Sequence, residues 1–131
     1  MRSENHIRPQ DMNFVPKRWG WELWIVNNEK YCGKILFIKQ GKWCSFHYHE
    51  QKDEVLYVQQ GRIEFTYEDK EANIEEQAEM GVGEAFHVTP GVIHQMRALE
   101  DTYIFEFSTQ HFDEDSKRVT TDLRHPDREN M

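Results

Sequence analysis

The sequence predicts an all-β protein, a sandwich or barrel of short strands. Eight segments of five to seven residues, rich in β-branched and aromatic side chains, recur between Trp21 and Ser108, and turn residues separate them at near-regular spacing. Nothing between them reads as a long core helix. Closing such strands on one another, or stacking them in layers, removes the edges they otherwise expose.

In order, "WELWIV" starts at Trp21 and stops at Asn27-Asn28, and "KILFIK" starts at Lys34 and stops before Gly41. "WCSFHYH" spans 43–49, and "EVLYVQQ" spans 54–60 with Gly61 as its turn. "RIEFTY" spans 62–67 and runs into the polar turn "EDKEAN" at 68–73. "EAFHV" at 84–88 lies between "GVGE" and Pro90-Gly91, "HQMRAL" at 94–99 ends at Glu100-Asp101, and "TYIFEFS" at 102–108 closes the series. "KILFIK" and "TYIFEF" are apolar on both faces, whereas a monomeric barrel buries one. The second face, with the Trp-rich segment, is therefore expected to form a homodimer interface.

At 131 residues the chain is long enough for one core. Its organisation reads as a polar N-terminal segment over 1–18, a single β-barrel domain over 19–110 and a charged tail over 111–131. The net charge of −8, from 24 acidic and 16 basic residues without a basic cluster, argues against a nucleic-acid partner. No run is apolar enough to span a membrane and the start lacks a secretory core, so a cytoplasmic protein is expected. In that compartment Cys32 and Cys44 are expected to be reduced thiols.

The stretch "GKWCSFHYHEQKDEVLYVQQG" concentrates the chemistry. A strand alternates its faces, so His47 and His49 point the same way and bring two imidazoles side by side, with Glu54 close behind. Cys44 has the opposite parity and is expected to point away from them. In "EAFHV", Phe86 and Val88 are the expected core pair, which turns His87 outward; His6, His111 and His125 lie in the polar ends. Glu106, of the same parity as Ile104, is a candidate general base.

Gly41-x5-His47-x-His49-x4-Glu54-x6-Gly61 resembles the first signature of the cupin superfamily at every fixed position. Gly83-x5-Thr89-Pro90-Gly91-x2-His94 is similar to the second, with Thr89 in place of its first proline and Ala98 in place of its asparagine. The resemblance implies a small jelly-roll β-barrel in which His47, His49, Glu54 and His94 hold one divalent transition metal. Such nitrogen and oxygen donors suit Zn, Mn, Fe, Ni or Co and leave coordination positions for water or substrate.

A second resemblance is to the cupin domain of the type II mannose-6-phosphate isomerases. It rests on Trp19-Gly20, Tyr31, Lys34, Ser45, His49, Lys52 and Glu54, with His47 in place of that family's glutamine. Glu114, Asp115, Arg118 and Asp122 are similar to its C-terminal ending. It implies a sugar or sugar-phosphate substrate and an isomerase in which a base moves a proton between adjacent carbons. No arginine pair is expected inside the barrel for a phosphate, since Arg97 alternates away from His94 and Arg18, Arg118 and Arg124 lie near the ends. The same ligand set also suits an iron-dependent dioxygenase, separable by oxygen uptake, and a non-catalytic sugar-binding module, separable by absence of turnover.

Overall fold

The computed structural model describes residues 3–69 and 74–119. Eleven strands run through them: β1 (Asn13–Lys17), β2 (Gly20–Asn27), β3 (Cys32–Ile38), β4 (His47–His49), β5 (Glu54–Gln60), β6 (Arg62–Asp69), β7 (Ile74–Gly81), β8 (Ala85–Val88), β9 (His94–Ala98), β10 (Thr102–Ser108) and β11 (Ser116–Arg118). They make a six-stranded sheet in the order β1-β2-β3-β10-β5-β8 and a five-stranded sheet in the order β11-β4-β9-β6-β7. Every pairing is antiparallel, and the jelly-roll is two packed sheets rather than one closed ladder. No helix among the described residues is long and apolar enough to cross a membrane.

The core fills the space between the sheets. Leu36, Ile38, Leu56, Val58 and Ile104 from one meet Ile63, Phe65, Met96 and Ala98 from the other, all buried. Period-two alternation carries this inner face onward: Lys34 precedes Leu36 and Ile38, Glu54 precedes Leu56 and Val58, and Glu106 follows Thr102 and Ile104. Register then lays Trp24, Lys34, Glu106 and Leu56 side by side across β2, β3, β10 and β5. The sheet that buries the apolar core at one end therefore buries charges at the other.

Three strands escape the sequence reading. β7 is mostly exposed, and its run of Glu75, Glu76, Gln77 and Glu79 has no alternation to reveal it; pairing with β6 and the buried Met80 hold this charged edge strand. β1 pairs with β2 inside the expected polar segment, and β11 pairs with β4 inside the expected tail. "WCSFHYH" is strand only over its last three residues; Trp43 makes an isolated bridge to Arg97, and 44–46 are irregular. That interruption breaks the alternation, so Cys44 is buried rather than turned away. No disulfide joins Cys32 and Cys44.

The outer face of the six-stranded sheet is aromatic. Phe14, Trp21, Phe37 and Tyr103 form a chain of ring contacts with successive centroids 5.6, 5.6 and 5.0 Å apart. Phe14 and Phe107 are each 57% exposed on it.

The β5–β6 turn supplies a test of the fold. Gly61 has φ +95°, and a Cβ there would sit 2.5 Å from both the Asp101 carbonyl oxygen and Thr102 Oγ1. Gly83 has φ +88° with open space around it. We expect Gly83→Ala to lose about 1–2 kcal/mol from backbone strain alone and Gly61→Ala distinctly more. Urea denaturation checks this; equal losses would contradict the packing described for the turn.

Candidate metal centre

The two sheets divide the site between them. The five-stranded sheet supplies the imidazoles: His47 and His49 lie on β4, and His94 stands directly opposite His47 on β9. Ring centroids are 4.4 Å apart for His47 and His94, 5.0 Å for His47 and His49, and 6.0 Å for His49 and His94. One ligand atom from each lies within 4.8 Å of the other two, so the three can hold a metal ion. The six-stranded sheet brings Glu54, Glu106, Lys34, Glu22 and Trp24 to the facing wall of a cavity of about 280 Å³.

The backbone sets the imidazole tautomers. His47 Nδ1 lies 2.8 Å from the Ser45 carbonyl oxygen and His94 Nδ1 3.0 Å from that of Val92. A carbonyl only accepts, so each Nδ1 carries the proton and each Nε2 presents a lone pair. Among the described residues, His94 Nε2 and His49 Nδ1 are buried without a hydrogen-bond partner, and Glu54 Oε2 has only the longer approaches of Lys52 Nζ and His49 Nε2, each at 3.4 Å. Such atoms are costly to bury, and coordination would satisfy them. Burial, with Lys52 and His47 adding to it, pushes His49 down to about 2; burial and the His47 charge push His94 down to about 3. Burial also lowers His47. Neutral imidazoles are the form that binds a metal.

Lys52 organises the acidic half. Its ammonium, 3% exposed, lies 3.0 Å from Glu106 Oε2, 3.4 Å from Glu54 Oε2 and 3.2 Å from His111 Nδ1. Burial works against the charge, but Glu106 and Glu54 override it and hold the lysine well above its ordinary range. Burial likewise pushes Glu106 up, and Lys52, Lys34 and the Ser108 hydroxyl at 2.9 Å outweigh it, leaving an ionised carboxylate. Glu54, raised by burial and by the Glu106 charge, reaches about 7. Lys34 completes the wall, 3.6 Å from Glu22 and 4.1 Å above the Trp24 ring.

His47, His49, Glu54, His94 and Glu106 thus converge on one cavity. His87 is exposed and paired with Asp53, as the alternation required. Arg97 stacks on Trp43, away from the cavity. Cys44 lines the cavity against expectation, because the strand breaks before β4. His111 and Arg118, placed by the sequence in a polar end, also line it, since the chain after β10 folds back and pairs with β4. The Trp-rich segment divides: Trp19 and Trp24 face the cavity, while Trp21 joins the outer aromatic face. Lys34 and Glu22 were legible by parity with Leu36 and Trp24, whereas His111 carried no local signal. Asp122, Arg124 and His125 lie outside the described residues.

The Cupin domain family matches residues 35–108, a span containing all three imidazoles, Glu54 and Glu106. The chain belongs to the cupin family. No curated protein sequence matches this cupin. Among solved structures it is similar to oxalate decarboxylase from Bacillus subtilis, at TM-score 0.75 and 18% identity over 86% of this chain and 31% of that one. It is also similar to CapF, a capsular polysaccharide assembling protein from Staphylococcus aureus, at TM-score 0.73 and 15% identity over 82% and 32% of the two chains. KdgF from Halomonas sp. aligns at TM-score 0.70 and 18% identity over 86% of this cupin and 98% of its own chain. This cupin therefore spans about a third of the length of the first two, and the likeness is one of fold.

Two outcomes follow from this geometry. Metal analysis is expected to find about one ion per chain, and His94→Ala or His49→Ala to lose most of it, because each removes a donor from a three-imidazole group; equal content in all three proteins would end the metal reading. The metal-free protein should also be acid-sensitive. Unfolded imidazoles take up protons near pH 6.5, whereas the folded ones resist until far lower pH, so the unfolded chain binds more protons and stability falls with pH. The raised Glu54 opposes this with a single proton, so three imidazoles outweigh it and the melting temperature should drop from about pH 7 to about pH 5. A melting temperature that rises over that range would reverse the assignment.

Proposed function

We propose that this cupin is a metal-dependent enzyme that moves a proton between adjacent carbons of a hydroxy-carbonyl compound, with a sugar or sugar phosphate as its substrate class. The observation that carries the reading is the Lys52–Glu106 ion pair, 3.0 Å long and buried in the same cavity as the three imidazoles. The resemblance to type II mannose-6-phosphate isomerases supports it. Trp19, Lys34, Ser45, His49, Lys52 and Glu54, six of the positions on which that resemblance rests, all line the cavity, while Tyr31 is exposed.

His47, His49 and His94 would hold the metal with Glu54 as fourth ligand. A divalent cation there supplies Lewis-acid polarisation of a substrate carbonyl or hydroxyl. Mn(II) is the first metal to test, since one similar oxalate decarboxylase structure is described by its Mn(II) centres. Glu106 takes the proton from the carbon beside the carbonyl, the C–H electron pair forms the enediolate double bond, and the carbonyl oxygen takes the negative charge. The hydroxyl on the carbon that lost its hydrogen passes its proton to the former carbonyl oxygen and becomes the new carbonyl. The double-bond electron pair takes the proton back from Glu106 at the former carbonyl carbon, which converts aldose to ketose. The Lys52 ammonium stabilises the oxygen that gains charge. Burial pushes Glu106 up and the lysines hold it down. An oxyanion that draws Lys52 weakens that hold, so Glu106 becomes a stronger base as the reaction proceeds.

Charge supports an anionic substrate. Three carboxylates, Glu22, Glu54 and Glu106, face two lysines, Lys34 and Lys52, and a divalent ion turns the balance positive by one. Lys17 and Arg118, against Asp113, add a further positive charge on the exposed side.

Turnover of mannose 6-phosphate or a related sugar phosphate in deuterated water is expected to place deuterium at C1 or C2. Glu106→Gln should abolish exchange while keeping the metal. A panel of sugar phosphates giving neither exchange nor a thermal shift, with metal in place, would exclude this class; oxygen consumption by the iron form without exchange would favour the dioxygenase. The outer aromatic face supports a homodimer, so light scattering is expected to give twice 15.8 kDa. A monomer mass at micromolar concentration would refute it.

A further inference from the structure

The segment after β10 lies beyond the residues that match the family, which end at 108, yet it is built into the metal centre. Asp115, 4% exposed, makes the connection. Its Oδ1 accepts from the backbone N–H of Glu50 at 3.0 Å and of Gln51 at 3.0 Å. Its Oδ2 accepts from the N–H of Gln51 at 3.2 Å and of Lys52 at 3.0 Å. Those three consecutive amides form the loop that begins after His49 on β4 and ends before Glu54 on β5. A carboxylate gripping successive amides is a charge-assisted clamp, and no flexible side chain intervenes.

The clamp is itself anchored on both sides. Asn27 binds the His111 backbone twice, donating to its carbonyl at 3.0 Å and accepting from its N–H at 2.8 Å. Beyond Asp115, β11 pairs Ser116 with His49 and Arg118 with His47, and the Val119 N–H donates to the Phe46 carbonyl at 2.7 Å. Residues 111–119 therefore form a strap running from β2 to β4, and Asp115 is the point where it grips the ligand loop.

We propose that Asp115 is a positioning residue of the metal centre, holding the 50–52 loop so that His49, Lys52 and Glu54 keep their places relative to one another. This rests on the metal reading of the site. The metal affinity of such a centre depends on groups that orient the ligands as well as on the ligands themselves.

The test compares wild type, Asp115→Asn, Asp115→Ala and a control, Met80→Ala, which opens core space on β7 and lines no part of the cavity. Mn(II) affinity by calorimetry, the Mn(II) electron paramagnetic resonance spectrum and amide hydrogen exchange are measured well below each melting temperature. Asp115→Asn keeps the size but replaces one acceptor with a donor facing amide N–H groups. It is expected to weaken Mn(II) binding about 10- to 100-fold, change the spectrum and expose the amides of residues 50–52 to exchange. Met80→Ala should lower the melting temperature without changing affinity or spectrum. Asp115→Asn binding Mn(II) within about twofold of wild type, with an unchanged spectrum, would overturn the proposal even if Asp115→Ala fails to fold. A wild-type chain that takes up no metal would remove the metal reading instead. In that case, unchanged exchange at 50–52 in Asp115→Asn would overturn the clamp as well.

Discussion

The buried Lys52 ammonium is the interaction on which the rest of the cavity depends. Two carboxylates within 3.4 Å hold it charged, and it in turn keeps Glu106 ionised between two sheets whose far end is filled by an apolar core. Each group alone would be strongly penalised by burial, and each relieves the others. Removing one partner leaves an uncompensated buried charge.

Burial keeps the imidazoles neutral, and this network adds to it. Lys52 and the neighbouring rings oppose a proton on His49, and the Ser45 and Val92 carbonyls fix the protons of His47 and His94 on the nitrogens that face the backbone. The remaining nitrogens offer lone pairs toward a common point. One sheet supplies the neutral donors and the other the charged wall. Under the proposed function, a metal on the imidazoles would give a substrate between them a Lewis acid on one side and proton-transfer groups on the other. Trp24 already carries the Lys34 ammonium over its ring and has His111 at its edge, so it belongs to the wall's own packing.

Much of this was legible locally. Eight strand segments, the glycine turns and the inward parity of His47, His49, Glu54 and Glu106 follow from alternation, because a strand face is determined by counting in twos. β7 was not legible, since its charged edge residues bury almost nothing and only Met80 near its end reaches the core. Cys44 was misread for a related reason: counting in twos holds only while the strand is unbroken, and residues 44–46 are not strand.

The sequence by itself determined the all-β class and the shared face of His47 and His49, because spacing along a strand and glycine-marked turns are local properties; the meeting of His94 and Glu54 with that pair was implied by the cupin resemblance. Tertiary structure alone decided what surrounds them. Lys52 was marked by the resemblance, but only the fold closes Glu54 and Glu106 on it from β5 and β10. Only the pairing of β11 with β4 sets Asp115 on the ligand loop and brings His111 and Arg118 to the cavity. Partners 54 to 65 residues apart are chosen by the packing of the two sheets and by the need to satisfy buried charge, and no local pattern encodes that choice.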